Sequence, residues 1–174
     1  MKFKLFDPKT DNVESVPEAT GNYIVVLRKN CKLPSFNIPI IYSKYKGYDV
    51  IYTGISKNLQ KRVIKNHFNG SAGRSTLRKS IGCMLGFSLI PRDAKYYKNK
   101  KTKFDNENER NLSDWMKTNL LLFYYPNNRY ALLEPELIQK LNPPLNLDKN
   151  DNVINCEFRR HLRLLRIESP IVSQ

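Results

Sequence analysis

The stretch Ile51–Arg62 (IYTGISKNLQKR) constrains the fold of this chain more than any other. Its first half is β-branched and aromatic, which is typical of a strand, and Tyr52 lies within it. Gly54 interrupts that pattern and allows another group to approach the backbone closely. The polar residues that follow can cap a helix, and Arg62 lies one turn into it. A tyrosine, a glycine and an arginine therefore converge, and the sequence predicts a phosphate pocket there.

Two other segments fit around this stretch. Gly21–Val26 (GNYIVV) reads as an earlier strand with Tyr23 near its start, and Leu133–Ile138 leads into Asn142–Asn146 (NPPLN). The ordered set resembles the GIY-YIG nuclease family. Gly21-Asn22-Tyr23 corresponds to the first family signature and Tyr52-Thr53-Gly54 to the second.

The spacing of three further residues strengthens this resemblance. Arg62 follows Tyr52 by ten residues, and Glu134 precedes Asn146 by twelve, as in the DNA-repair incision nucleases of the family. Each piece alone is weak, because short tyrosine–glycine patterns arise by chance. The order and both spacings together make the resemblance specific between Gly21 and Asn146.

The resemblance implies a catalytic set and a role for each member. Tyr52 is the candidate general base, Tyr23 a supporting hydroxyl, Arg62 the stabiliser of phosphate charge, and Asn146 the residue that orders the glutamate loop. Glu134 is the candidate ligand of Mg²⁺ or Mn²⁺, and one carboxylate suffices because Mg²⁺ keeps several waters. His67 is a candidate acid–base group, with a buried structural histidine as the alternative.

The implied fold is α+β: a small three-stranded, mainly antiparallel sheet flanked by helices. We expect a lead-in over residues 1–20, a nuclease domain over 21–146 with insertions at 28–48 and 71–119, and a basic helical extension over 147–174. The 28–48 insertion is expected to be peripheral, because the strands beside it carry the site. The extension is expected to place its apolar residues against the domain.

The charge of the chain favours a polyanionic partner. Lysine and arginine outnumber aspartate and glutamate by 30 to 16, the net charge is +14 and the pI is near 9.7. The alternative is an unrelated basic protein whose charges are solvated. The side chains predicted to contact DNA are Lys57, Lys61, Arg74, Arg78, Lys79, Arg159, Arg160, Arg163 and Arg166.

The cysteines and the hydropathy of the chain narrow the class of protein and its expected location. Cys31, Cys83 and Cys156 are far apart and odd in number, which indicates reduced thiols and argues against a zinc site. No apolar run is long enough to span a membrane and no signal peptide is recognised, so we expect a cytoplasmic protein.

Two functions from different classes follow. The first is a Mg²⁺-dependent endonuclease that hydrolyses DNA, with branched or damaged DNA among the candidate substrates. The second is a catalytically silent nucleic-acid-binding module, which would have no need of Glu134. The sequence leaves the oligomeric state and the cleaved DNA structure open.

Overall fold

The computed structural model describes residues 1–34 and 36–168. The strands are β1 (Lys4–Phe6), β2 (Gly21–Leu27), β3 (Lys44–Tyr45), β4 (Tyr48–Ser56), β5 (Ile90–Pro91), β6 (Thr102–Lys103) and β7 (Leu120–Pro126). The helices are a 3₁₀ turn (Val13–Ser15), a π-helix (Lys61–Phe68), α1 (Thr76–Met84), α2 (Tyr96–Asn99), α3 (Asn106–Asn119), α4 (Tyr130–Leu141) and α5 (Cys156–Glu168). Within these residues, none of the helices has the length and apolar character needed to cross a bilayer.

The main sheet has five strands in the order β1-β7-β2-β4-β3, and all neighbours are antiparallel. The prediction of three strands was wrong in number, because two short edge strands were not recognised. β1 comes from the predicted lead-in and pairs with β7. β3 forms a hairpin with β4 through Lys46 and Gly47, whose φ values of 50° and 82° suit a two-residue turn.

The central strand β2 is buried along its whole length, because both faces of the sheet are covered. Alternate residues point to opposite faces. Tyr23 and Val25 join the larger core with the π-helix, α1, α3 and α5. Ile24 and Val26 join a smaller core with α4. Burial on both faces explains why the sequence of β2 is continuously apolar after Asn22.

Parts of the 28–48 segment pack against the larger core, so its packing is closer than the expectation of a peripheral insertion implied. Leu33 is buried, and the ring of Phe36 packs against Phe158 with centroids 5.8 Å apart. The side chain of Asn155 also binds the backbone N–H and C=O of Ile41 at 2.9 and 2.8 Å. The segment therefore fastens the start of α5 to the sheet.

Helix α5 packs its apolar side against the domain, as predicted. Phe158 and Leu162 are fully buried in the larger core, and Leu165 packs against it. Residues 169–174 of the predicted extension lie outside the described residues.

Candidate active site

Tyr23 and Gly54 are partners in the register of β2 and β4. A Cβ atom added to Gly54 would lie 2.5 Å from the Tyr23 hydroxyl oxygen and 2.7 Å from the adjoining ring carbon. The glycine is therefore required because the phenol ring of Tyr23 crosses directly over it. The close approach predicted at this glycine is made by a side chain of the protein.

The hydroxyl of Tyr23 is a buried junction between two side chains of the predicted catalytic set. Arg62 Nε donates to it at 3.2 Å, and His67 Nε2 lies 2.8 Å away. Burial, followed by the neighbouring charge of Tyr52, raises the pKa of Tyr23. Tyr23 therefore stays protonated at neutral pH, and its hydroxyl holds Arg62 and His67 by hydrogen bonds.

His67 bridges two hydroxyl groups inside the core. Its Nδ1 lies 2.7 Å from Ser75 Oγ, which also accepts the backbone N–H of Arg78 and so caps α1. Burial, followed by the charges of Arg62 and Arg78, lowers the pKa of His67 well below its usual value. The ring is therefore neutral, with one nitrogen donating and the other accepting. Full burial favours the structural role of this histidine.

The π-helix explains how Arg62 and His67 reach the same phenol although five residues separate them. The sequence predicted an α-helix here, in which five residues correspond to a rotation of about 140°. A π-helix has i→i+5 hydrogen bonds, so residues five apart lie one turn above each other. The bond from Asn69 N to Ile64 O, at 2.8 Å, has this spacing. The wider winding thus brings both side chains to Tyr23.

Tyr52 lies on β4, and its ring is half-buried. The centroid of this ring is 6.2 Å from that of the Tyr23 ring. The hydroxyl of Tyr52 is 3.4 Å from Thr76 Oγ1 at the start of α1. It lines a cleft of about 170 Å³. The cleft is also lined by Thr76, Glu134, Ile138, Leu145, Asn146, Leu147, Asp148, Lys149 and Arg166. Tyr52 and Glu134 therefore share one open site.

The loop after α4 is fastened to β4 beside Tyr52. Asn146 Oδ1 accepts the backbone N–H of Thr53 and Asn146 Nδ2 donates to the Thr53 carbonyl, both at 2.9 Å. The N–H of Leu145 donates to the Ile51 carbonyl at 3.0 Å. These bonds occupy the edge of β4 beyond Asp49, where its pairing with β3 ends. The loop thereby takes the place of an additional strand.

A family model described as the GIY-YIG catalytic domain matches residues 21–168. The chain belongs to the GIY-YIG family. This membership confirms the resemblance drawn from the two signatures and supports nuclease activity in general. Comparisons with curated proteins and with solved structures found no significant match.

Glu134, the carboxylate predicted to hold the cation, lies in the fifth position of α4. The helix begins at Tyr130 and contains Pro135. The Glu134 side chain is 14% exposed, and its Oε2 accepts from Lys149 Nζ at 2.8 Å. An ammonium group thus contacts the oxygen that would bind a cation.

The donor set of the cleft fits a cation that retains most of its waters. No group of three or more acidic, histidine or cysteine side chains suited to a metal occurs among residues 1–34 and 36–168. Glu134 and Asp148 are the two carboxylates that line the cleft. Mg²⁺ is commonly bound through one or two carboxylates, so these residues are compatible with it.

Arg62 is held rigidly on the other side of Tyr23. Its Nη1 donates to the backbone carbonyl of Arg74 at 2.9 Å, in addition to the bond from Nε to Tyr23. Arg62 is not among the residues that line the cleft with Glu134. The structure therefore forms two groups, Tyr23–Arg62–His67 and Tyr52–Glu134–Asn146, and the two tyrosine rings connect them.

Two of the arginines predicted to bind DNA are buried, so that prediction was wrong for them. Arg78 is fully buried, pairs with Glu109 at 2.8 Å and donates to the His67 carbonyl at 2.8 Å. Arg159 is 2% exposed and donates to Asn142 Oδ1 at 3.1 Å. Both arginines stabilise the fold. Their partners are distant along the chain, so the sequence did not reveal these contacts.

The other basic residues of that prediction remain accessible to solvent to differing degrees. Lys79 and Arg166 are half-buried. The exposed ones are Lys57, Lys61, Arg74, Arg160 and Arg163.

Lys149 and Ser75 contact the predicted site residues Glu134 and His67, and the sequence did not reveal these contacts. Lys149 is three residues beyond Asn146, in a polar turn where it has φ of 58°. Ser75 could have been recognised as a helix cap before Thr76, but its contact with His67 depends on the π-helix. Neither belongs to the family signatures.

Proposed function

We propose that this protein is a Mg²⁺- or Mn²⁺-dependent endonuclease that hydrolyses phosphodiester bonds in DNA. The observation that carries the proposal is the fastening of Asn146 to Thr53, which sets Glu134 of α4 beside Tyr52 of β4. A module that only bound DNA would have no use for a carboxylate beside a tyrosine in a basic surface. The net charge of +14 supports a nucleic-acid substrate.

The chain supplies three functions for hydrolysis. Tyr52 lies at the open cleft, and after releasing its own hydroxyl proton to solvent it would take the proton of the attacking water as the phenolate. Arg62, fixed by Tyr23 and by the Arg74 carbonyl, would bind an oxygen of the scissile phosphate through its remaining donors. Glu134 would hold the cation. A bound divalent cation offsets the charge that develops on the phosphate and assists the leaving oxygen.

The buried residues would keep these groups in place. Tyr23 and His67 form a hydrogen-bonded support behind Arg62, and Ser75 connects that support to α1. Because Tyr23 and His67 are fully buried, they contact the substrate only through Arg62 and Tyr52.

A catalytically silent DNA-binding module is the second candidate. The ion pair between Lys149 and Glu134 favours it, because an ammonium group already satisfies the proposed metal ligand. In the endonuclease, Lys149 must give way when the cation binds.

The test is incubation of the protein with supercoiled plasmid, linear duplex, single-stranded and branched DNA, with Mg²⁺, with Mn²⁺ and with EDTA. The endonuclease is expected to cleave at least one of these forms with either cation and none in EDTA. Binding to all forms without cleavage under any condition would favour the silent module. Cleavage in EDTA would contradict the role of Glu134.

A further inference from the structure

A second cavity adjoins the cleft that contains Tyr52 and Glu134. It has a volume of about 440 Å³ and lies between α1, α5 and the hairpin of β5 and β6. Leu147, Asp148 and Arg166 line both cavities. The two spaces therefore meet at these three residues.

The lining of this second cavity is strongly basic. Lys79, Lys100, Arg163 and Arg166 contribute four positive charges, and Asp148 contributes the one carboxylate. Within the described part of the chain, none of these four cations forms an ion pair. We refer to this space as the basic cavity.

Two contacts show that the basic cavity is a formed structure and not a loose set of surface charges. Lys79 Nζ is held by Thr102 Oγ1 at 2.8 Å, and Arg163 Nη2 donates to the Leu147 carbonyl. Burial, followed by the positive charge of Arg166, lowers the pKa of Lys79. The cations therefore repel one another in a partly desolvated space, and a bound anion would relieve that repulsion.

We propose that the basic cavity is a second phosphate subsite, which holds the phosphodiester next to the scissile one and which Arg166 joins to the cleavage site. The size and charge of the cavity suit a phosphate with part of its sugar. Guanidinium and ammonium groups are the protein groups that most often recognise phosphate oxygens. This inference rests on the proposed function for the neighbouring cleft.

The test uses two small probes in EDTA, so that no cation and no cleavage enter the measurement. Thymidine 5′-monophosphate has one phosphate, and thymidine 3′,5′-bisphosphate has two, spaced as in a DNA strand. Calorimetry should show that the wild type prefers the bisphosphate by about tenfold or more, because a hydrogen bond to a charged group contributes on the order of that factor.

Lys79→Met is the decisive variant, because Lys79 lines the basic cavity and not the cleft. It should reduce the preference for the bisphosphate to below about threefold. Lys100→Met, at an exposed position of the same lining, should act in the same direction and keeps the test valid if Lys79→Met unfolds. Arg110→Met removes an exposed charge of α3 outside both cavities and should retain the wild-type preference.

Equal affinity of the wild type for both probes would overturn the subsite. The same holds if Arg110→Met weakens the bisphosphate as much as Lys79→Met does, since the effect would then be net charge alone. Cleavage of DNA in Mg²⁺ is measured separately on the wild type. A retained preference without cleavage would leave the subsite standing and contradict the endonuclease, whereas cleavage without a preference would contradict only the subsite.

Discussion

The side-chain amide of Asn146 makes both backbone hydrogen bonds of Thr53, on the edge of β4 opposite to β2. The carbonyl and amino groups of one side chain thus replace the donor and acceptor of a neighbouring strand. Asn146 is 7% exposed, so water cannot readily substitute for either bond. The position of the loop after α4, and with it the cleft, depends on this pair.

The first prediction is that Asn146→Asp is more damaging than its similar shape suggests. Aspartate keeps the acceptor for Thr53 N–H but places a second oxygen against the Thr53 carbonyl. A buried group left without a partner costs about 1–3 kcal/mol, so the free energy of unfolding in urea should fall by that amount. Asn146→Ala, which removes both bonds to Thr53 without adding a second oxygen, is the comparison. Wild-type stability in Asn146→Asp would show that the loop is held by other contacts.

The second prediction is that Glu134→Gln separates cleavage from binding. Glutamine keeps the shape but loses the charge that would hold the cation, so the cleavage rate in Mg²⁺ should fall by orders of magnitude, at about 1.4 kcal/mol per factor of ten. DNA affinity measured in EDTA should persist or increase, because a negative charge facing phosphate is gone. Glu136→Gln, two residues along α4 and exposed, is the control. A wild-type rate in Glu134→Gln would show that the assigned carboxylate is wrong.

Local sequence patterns predicted much of the sheet and the candidate site. β2 was predicted at Gly21–Val26 and is observed at Gly21–Leu27, because a β-branched run flanked by polar residues has few alternatives. The strand with Tyr52 continues through Gly54 to Ser56, so the glycine does not end it. Its pattern was interrupted because the space for a side chain at Gly54 is taken by Tyr23, a contact between strands that the sequence of one strand cannot reveal.

The structural features that the sequence did not predict depend on contacts between residues that are distant along the chain. The charge of Arg78 suggested a surface residue until its pairing with Glu109, 31 residues later, was visible. The π-helical winding at Arg62 and His67 is likewise not encoded in hydrophobic periodicity. The two short edge strands β1 and β3 have three and two residues, too few for a pattern to establish.

The third prediction concerns Lys149, which contacts the proposed metal ligand. Lys149→Met removes the ammonium group from Glu134, so Mn²⁺ should bind more tightly, as measured by electron paramagnetic resonance in the absence of DNA. The side chain of Lys149 is largely exposed, and exposed ion pairs are weak, so the gain should not exceed about fivefold. Lys140→Met, an exposed lysine on α4, is the control and should bind Mn²⁺ as the wild type does. Equal Mn²⁺ affinity in all three proteins would show that Lys149 does not compete with the cation.

The fourth prediction is a loss of stability in mild acid that originates from His67. Folding holds this ring neutral and lowers its pKa well below 6.5, because the ring is buried beside Arg62 and Arg78. Below pH 6.5 the unfolded chain takes up a proton at this position and the folded chain does not. The free energy of unfolding should therefore decrease as the pH falls below about 6.5, by up to about 1.4 kcal/mol per pH unit, until the folded-state pKa is reached. Above about pH 6.5 the contribution of His67 to the free energy of unfolding is constant.

His67→Gln tests this origin, because glutamine can still bond to Tyr23 and Ser75 but does not titrate. Urea unfolding between pH 5 and pH 7.5 should give a shallower pH dependence for His67→Gln than for the wild type. His161→Gln alters an exposed histidine and should retain the wild-type slope. The carboxylate of Asp7 does not interfere, because its hydrogen-bonded ion pair with Arg28 lowers its pKa, further away from this pH range. An unchanged slope in His67→Gln would mean that folding does not hold the ring neutral. It would also mean that water reaches the hydrogen bond between His67 and Tyr23.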